Sequence, residues 1–208
     1  MDNISIVIPV LNEEDNLENL INEIMKNHLI EIITEIILVD DFSKDNSKII
    51  ILSLSKIFNK IKFYAHDKNY GQSKALLTGI KNAKNNIIIT LDADGQNNPN
   101  DIKNLYKCYI KKNKIKLVGG IRKVRKDSLT KIYSSKIANK IRKFILNDDC
   151  EDSGCSLKIF DKEMFLKLPF FDGLHRFLPA LFKYSGSENV FIEVDHRERK
   201  YGYSKYDN

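Results

Sequence analysis

A chain of 208 residues has room for one domain with a proper core, because chains of this size bury most of the surface they expose when unfolded. An apolar share of 42% and a charged share of 30% are those of a folded globular protein, which excludes a disordered chain. The net charge of +6 invites a nucleic-acid reading, but the lysines are scattered among Asn and Ile along the whole length, so no nucleic-acid partner is expected.

In chain order, the first half alternates β-rich runs with helix-period segments. A strand at 5–10 delivers Asn12 and Glu13, and a helix follows at 15–26. A second strand at 35–39 ends on Asp40 and Asp41, with a helix at 45–58 that Asp45 would cap. A third strand at 61–64 leads to residues 66–69, then a helix at 72–81. The fourth strand, 87–91, ends on Asp92 and Asp94; behind Pro99 comes a helix at 101–112 with Asp101 as its cap, then a short strand at 116–118.

The second half is less regular. Residues 130–146 set Ile132, Tyr133, Ile137, Ile141, Phe144 and Ile145 against Lys131, Lys136, Lys140, Arg142 and Lys143. This amphipathic helix either packs on the core or lies on a membrane surface. A strand at 156–160, a helix from Asp161, an aromatic loop at 169–179, a strand at 190–194 and a Tyr/Lys/Gly-rich tail complete the chain.

Strand–helix alternation predicts an α/β fold: a mostly parallel central sheet with helices on both faces, in one domain over 1–208. Ligands of such sheets sit at the carboxyl ends of the strands. Acidic and amide residues gather there, so that edge is the predicted site. No run nears the roughly 18 apolar residues of a membrane span. Residues 4–11 lack a basic leader, so no signal peptide is expected. Cys108, Cys150 and Cys155 have no CxxC spacing and read as free thiols of a reducing compartment. Every arginine lies at or beyond Arg122, which suggests places in the second half where a planar, bidentate donor is needed, as phosphate demands.

The strongest local signal is IIITLDADGQ. Asp92 and Asp94, two apart on an extended segment, can face one ligand, and Gln96 follows two further on. A hard divalent cation, Mg²⁺ or Mn²⁺, takes such oxygens and leaves positions for substrate phosphates. There it would offset charge building on a diphosphate leaving group. GxGxxG, GxxxxGK[ST] and GxSxG are absent, and His28, His66, His175 and His196 lack zinc spacing, so dehydrogenase and hydrolase readings fall away.

Together SIVIPVLNEEDNL, ILVDDFSKDNS, NYGQSKALLTGI and LDADGQ resemble family 2 of the glycosyltransferases, which have the GT-A fold. GGIRKVRKDS, EDSGCSLKIF, DGLHRFLP and HRERKYGYSKY are similar to its polyprenyl-phosphate branch. The resemblance implies an inverting transfer of a hexose from a nucleotide-diphosphate sugar, of GDP-mannose or UDP-glucose type, to a polyprenyl or dolichyl phosphate. Residues 1–115 would form the nucleotide-sugar half and 116–208 the acceptor half, on the cytoplasmic face of a membrane. It further implies that Pro9, Asn12, Glu13, Asp40, Ser43, Asn69 and Gly71 surround the nucleotide sugar. Asp92, Asp94 and Gln96 would hold the metal. Arg122 and Arg125 would grip the acceptor phosphate, with Arg197, Arg199, Ser204 and Lys205 closing over the phosphates. Asp152 stands where the family keeps a carboxylate, as base or as orienting group. The family often continues past its SKY segment into membrane-associating helices, whereas this sequence ends at Asn208.

An anionic acceptor needs no strong base, so orientation and charge screening carry the chemistry. Three alternatives stand beside this reading: a family 2 transferase acting on a hydroxyl acceptor, a basic nucleic-acid-binding module, and a non-catalytic sugar-nucleotide binder. At the level of single residues, Asp40 and Asp41 could merely cap the next segment, and Arg122, Arg125 and the HRERK run could be solvated charge.

Overall fold

The computed structural model describes residues 3–27, 30–123, 146, 148–199 and 201. The run ISIVIPV forms β1 (Ile4–Val10), buried on both faces, and the polar, Asn-containing segment after it turns the chain into α1 (Glu14–Met25). Leu17, Leu20, Ile21 and Ile24 recur at three- and four-residue steps, so α1 buries one stripe against the sheet. Alternation continues through β2 (Ile33–Asp40), α2 (Ser47–Ile57), β3 (Ile61–Ala65), α3 (Gln72–Asn82) and β4 (Ile87–Thr90). After a turn at Pro99–Asp101 come α4 (Ile102–Tyr109), β5 (Ile115–Arg122), β6 (Lys158–Asp161), α5 (Lys162–Leu166), α6 (Leu174–Tyr184) and β7 (Glu188–Val194).

The described strands form one sheet in the order β3-β2-β1-β4-β6-β5-β7. β6 is antiparallel to both neighbours, while β1, β2, β3 and β4 pair in parallel, as do β5 and β7. The predicted α/β fold is therefore observed. Pleating sends Ile4, Ile6, Ile8 and Val10 to a core shared with α1, α2 and α4. Val7, Ile37 and Val39 meet α3, α5 and α6 on the other face. Fully burying each such side chain stabilises by about 1.5–3 kcal/mol before entropy is set against it. The β1–β4 ladder ends at Val7, so Pro9 interrupts no pairing on that side.

The reversed direction of β6 positions the site. Thr90 pairs with Lys158, so the amino end of β6 lies beside the carboxyl end of β4. The loop ahead of β6 thereby opens on the same edge as Asp92 and Asp94.

Several expectations need correction. Residues 169–179 are not all loop: α6 starts at Leu174, because Leu178 and Phe182 follow at four-residue steps and bury with it. That burial outweighs the amide missing at Pro179 inside the helix. β5 runs on to Arg122 because Gly119 and Gly120 pair with Phe191 and Ile192 of β7. Asp45 accepts from Ser47 N at 2.9 Å one position ahead of the cap, whereas Asp101 does hold the cap position of α4, with its carboxylate accepting from Asp195 N at 2.8 Å and not from a helix amide. Segment 130–146, apart from Leu146, lies outside the described residues, as do Arg125, Ser204 and Lys205. No helix among the described residues is long and apolar enough to cross a membrane.

Candidate active site

Two loops at the carboxyl edge are stitched to each other. Asn12 N donates to Ser43 Oγ at 2.9 Å, and Asn12 Oδ1 accepts from Lys44 N at 2.6 Å. Asp40, buried at the end of β2, accepts from Ser43 N at 3.2 Å. Asn12 and Phe42 are the non-glycine residues with positive φ among those described, at 53° and 71°, and both belong to these loops. Such backbone is unfavourable outside glycine and collects at functional edges. The Lys44 ammonium lies 3.4 Å from the Phe42 ring centroid.

Asp41 organises the next loop rather than capping α2. Its carboxylate accepts from Tyr70 N at 2.9 Å and Gly71 N at 2.8 Å, and pairs with His66 Nδ1 at 2.7 Å. Asn69 Oδ1 accepts from the same Gly71 amide at 3.0 Å. Gly71 has φ 86° and starts α3, which carries Gln72 to the Asp motif. Gln72 Nε2 donates to Asp92 Oδ1 at 2.7 Å.

Asp92, Asp94 and Gln96 line one cleft together with Arg122 and the Gly154–Ser156 loop. Asp94 Oδ1 accepts from Gln96 N at 3.0 Å, folding the turn through Gly95. Burial pushes the Asp92 carboxyl up to about 7, and the nearby Asp94 charge adds to the rise, with Lys158 opposing it. Glu13 is buried as well, and burial raises its pKa despite Arg199 and Asn16. Arg199 Nη2 bonds to Glu13 Oε1 and stands 3.7 Å from Asp94 Oδ2. Its Nε and Nη1 are buried without a hydrogen-bond partner among the described residues.

Arg122 ends β5 and is clasped by Asp152, with Nε–Oδ2 and Nη2–Oδ1 both at 2.7 Å. Arg197 meets Gln96 through its backbone, its N donating to the Gln96 carbonyl at 2.9 Å and its carbonyl accepting from Gln96 Nε2 at 3.2 Å, while its guanidinium grips Glu23 of α1 at 2.7 and 2.9 Å and donates to Asn98 Oδ1 at 3.1 Å.

Sequence reasoning missed Gln72, Asn97, Ser156 and Lys158. Lys158 is a buried cation whose Nζ donates to the carbonyls of Cys155 and Ser153. Burial lowers the pKa of His175 to about 3, with the Lys158 and Arg176 charges contributing, so this ring is neutral and bonds Ser73 Oγ at 2.7 Å. Nothing local marks these residues; their signal is the order of the strands.

Residues 5–168 match the profile described as glycosyl transferase family 2, and the chain belongs to that family. It is 33% identical over 213 residues to an undecaprenyl-phosphate 4-deoxy-4-formamido-L-arabinose transferase of Shewanella sediminis, covering 99% of this chain and 62% of the relative. The corresponding transferase of Proteus mirabilis is 33% identical over 208 residues, at 99% and 63% coverage. The chain thus spans less than two thirds of these relatives' length. Glucosyl-3-phosphoglycerate synthase from Mycobacterium tuberculosis, solved with Mg²⁺ and uridine diphosphate, superposes with a TM-score of 0.73 at 18% identity, covering 95% of this chain and 72% of that one. This likeness shows the GT-A-like fold.

Among the described residues no three His, Cys, Asp or Glu side chains converge as a closed metal cage. Two neighbouring carboxylates, with the charge on buried Asp92 opposed by Asp94, and an amide beside them on one cleft still suit Mg²⁺ or Mn²⁺, which take one or two protein carboxylates and complete their shell with water and substrate phosphate.

Proposed function

We propose that this chain transfers a sugar from a nucleotide diphosphate to a polyprenyl phosphate, with inversion at the anomeric carbon. The observation that carries the reading is one cleft lined both by carboxylates and by a guanidinium: Asp92, Asp94 and Arg122. The relatives named as undecaprenyl-phosphate transferases support the acceptor class.

Asp92, Asp94 and Gln96 would hold a divalent ion, which when bound neutralises charge on the departing diphosphate. Arg199, whose Nη2 stands 3.7 Å from Asp94 Oδ2, has two further buried nitrogens, Nε and Nη1, without a hydrogen-bond partner among the described residues. The β1 and β2 loops, through Asn12, Asp40 and Ser43, shape the nucleotide end, and the Glu13 carboxylate anchors Arg199. Arg122 receives the acceptor phosphate, joined in this reading by Arg125. Because that phosphate is anionic at neutral pH, its oxygen attacks without first losing a proton; the protein's task is to align two anions that repel each other. Work on a lipid-linked acceptor implies a site at the cytoplasmic membrane surface, with the basic 130–146 segment as the candidate contact.

A donor screen with Mn²⁺ and a short polyprenyl phosphate tests this. Nucleotide release and lipid-linked sugar should appear together with one donor. Transfer to a sugar hydroxyl with none to lipid phosphate would refute the acceptor class.

A further inference from the structure

We propose that Asp152 is a positioning residue that aims Arg122 at the acceptor's anionic group and is not the base of the reaction. The proposal rests on the reading above only for the identity of that acceptor.

Two opposed strands create the pair. β5 ends on Arg122, and the antiparallel β6 brings the 152–157 loop back beside it. Asp152 Oδ2 accepts from Arg122 Nε at 2.7 Å and from the Arg122 backbone N at 3.2 Å; Oδ1 accepts from Nη2 at 2.7 Å. A planar fork met by a planar carboxylate is held in one orientation, which lysine could not reproduce. The carboxylate is 3% exposed and the arginine side chain 17%. Arg122 lines the cleft with Asp92 and Asp94, and Asp152 is not among the residues lining it. The arginine therefore stands between the carboxylate and the reacting groups.

The loop that carries Asp152 is itself fixed. Lys158 Nζ donates to the carbonyls of Ser153 and Cys155, and Thr90 Oγ1 donates to the Ser156 carbonyl at 2.7 Å. Gly154 lets the loop pass close beneath the pair: a Cβ there would lie 3.1 Å from Arg122 Nη2 and 3.7 Å from Asp152 Oδ1.

A base must present an oxygen to the nucleophile and take its proton. Each Asp152 oxygen already accepts a charge-assisted bond from Arg122, so that step would dismantle a buried ion pair. Orienting a guanidinium demands nothing of the kind.

A double-mutant cycle on steady-state kinetics decides between the roles. Arg122→Met should lower acceptor kcat/KM about 100-fold, as loss of a charged contact does. Asp152→Asn should raise acceptor KM about tenfold while leaving donor KM and the shape of the pH–rate profile in place, because a hydrogen-bonded amide holds the fork less well. In the Arg122→Met background, Asp152→Asn should cost less than about twofold, since residues acting through one another are not additive. A collapse of kcat at unchanged acceptor KM with loss of the acidic limb, or an equal cost in both backgrounds, overturns the proposal. If Asp152→Asn fails to melt cooperatively, Gly154→Ala decides. It keeps both charges and displaces the guanidinium by a few tenths of an ångström, so acceptor KM should rise severalfold at a retained melting temperature, and an unchanged KM overturns the proposal. The cycle is read on whichever acceptor the unmodified chain uses. Failure with polyprenyl phosphate therefore sinks the acceptor reading alone.

Discussion

Asp92 is where acidity and the proposed cation binding meet. Burial first, and the Asp94 charge second, lift its carboxyl from the ordinary 3.8 to about 7. Between those two values the folded chain keeps a proton that the unfolded chain has released, so metal-free stability falls as pH rises through this window and the cost is complete above it. A divalent ion relieves that cost only once the carboxyl is ionised. Mn²⁺ should therefore raise the melting temperature more at pH 8 than at pH 5.5, and equal shifts would contradict the assignment. Arg199 behaves as a resident counter-charge. Its side chain is 16% exposed and bridges Glu13 and Asp94. Arg199→Met should destabilise the metal-free protein by about 3 kcal/mol in urea titrations, because buried Glu13 loses its partner. Added Mn²⁺ should recover part of that loss by calorimetry or melting, since the ion supplies positive charge at the same carboxylates.

At the level of elements, α3 ties fold to site. Gly79 lies so near β1 and β2 that a Cβ would come 2.4 Å from Val7 Cγ1 and 3.2 Å from Val39 Cγ2. Valine is stiff about χ1, so Gly79→Ala should push the helix outward and cost about 1–3 kcal/mol. The urea midpoint should drop, and metal-dependent nucleotide affinity should weaken with it, because α3 also carries Gly71 and Gln72. The sequence made such elements legible where the local pattern agreed with burial: α1 and α3 fall within a residue of expectation, and Asp92 and Asp94 end a strand as their apolar run implies. It hid elements whose identity is decided at a distance. Aromatic residues between Pro169 and Pro179 read as loop, yet Leu178 and Phe182 turn that stretch into α6 once Phe160 is there to pack against. Gln72 and Lys158 were invisible as site residues for the same reason. Their neighbours, Asp92 and Thr90, are brought to them by strand order, which no short window encodes.

For the molecule as a whole, the proposed nucleotide and acceptor halves would differ in role and not in fold, because the sheet crosses between them. β6 sits between β4 and β5, so the second half of the chain supplies the strand that the first half needs as its neighbour. Leu157, Ile159 and Phe160 are wholly buried, and they sit in the same two clusters as Ile4, Ile6, Val7 and Ile37 of the first half. A fragment of residues 1–115 would leave the β4 edge unpaired and strip that packing away, at about 1.5–3 kcal/mol for each large side chain. Those losses together match the whole stability expected of a domain this size, roughly 5–15 kcal/mol. Residues 1–115 alone should consequently show no cooperative urea transition by circular dichroism. Mixing with residues 116–208 should restore one, along with Mn²⁺-dependent stabilisation. A sharp transition in the first fragment alone, at the full chain's midpoint, would mean that the nucleotide half folds independently and that β6 is an addition to a finished sheet.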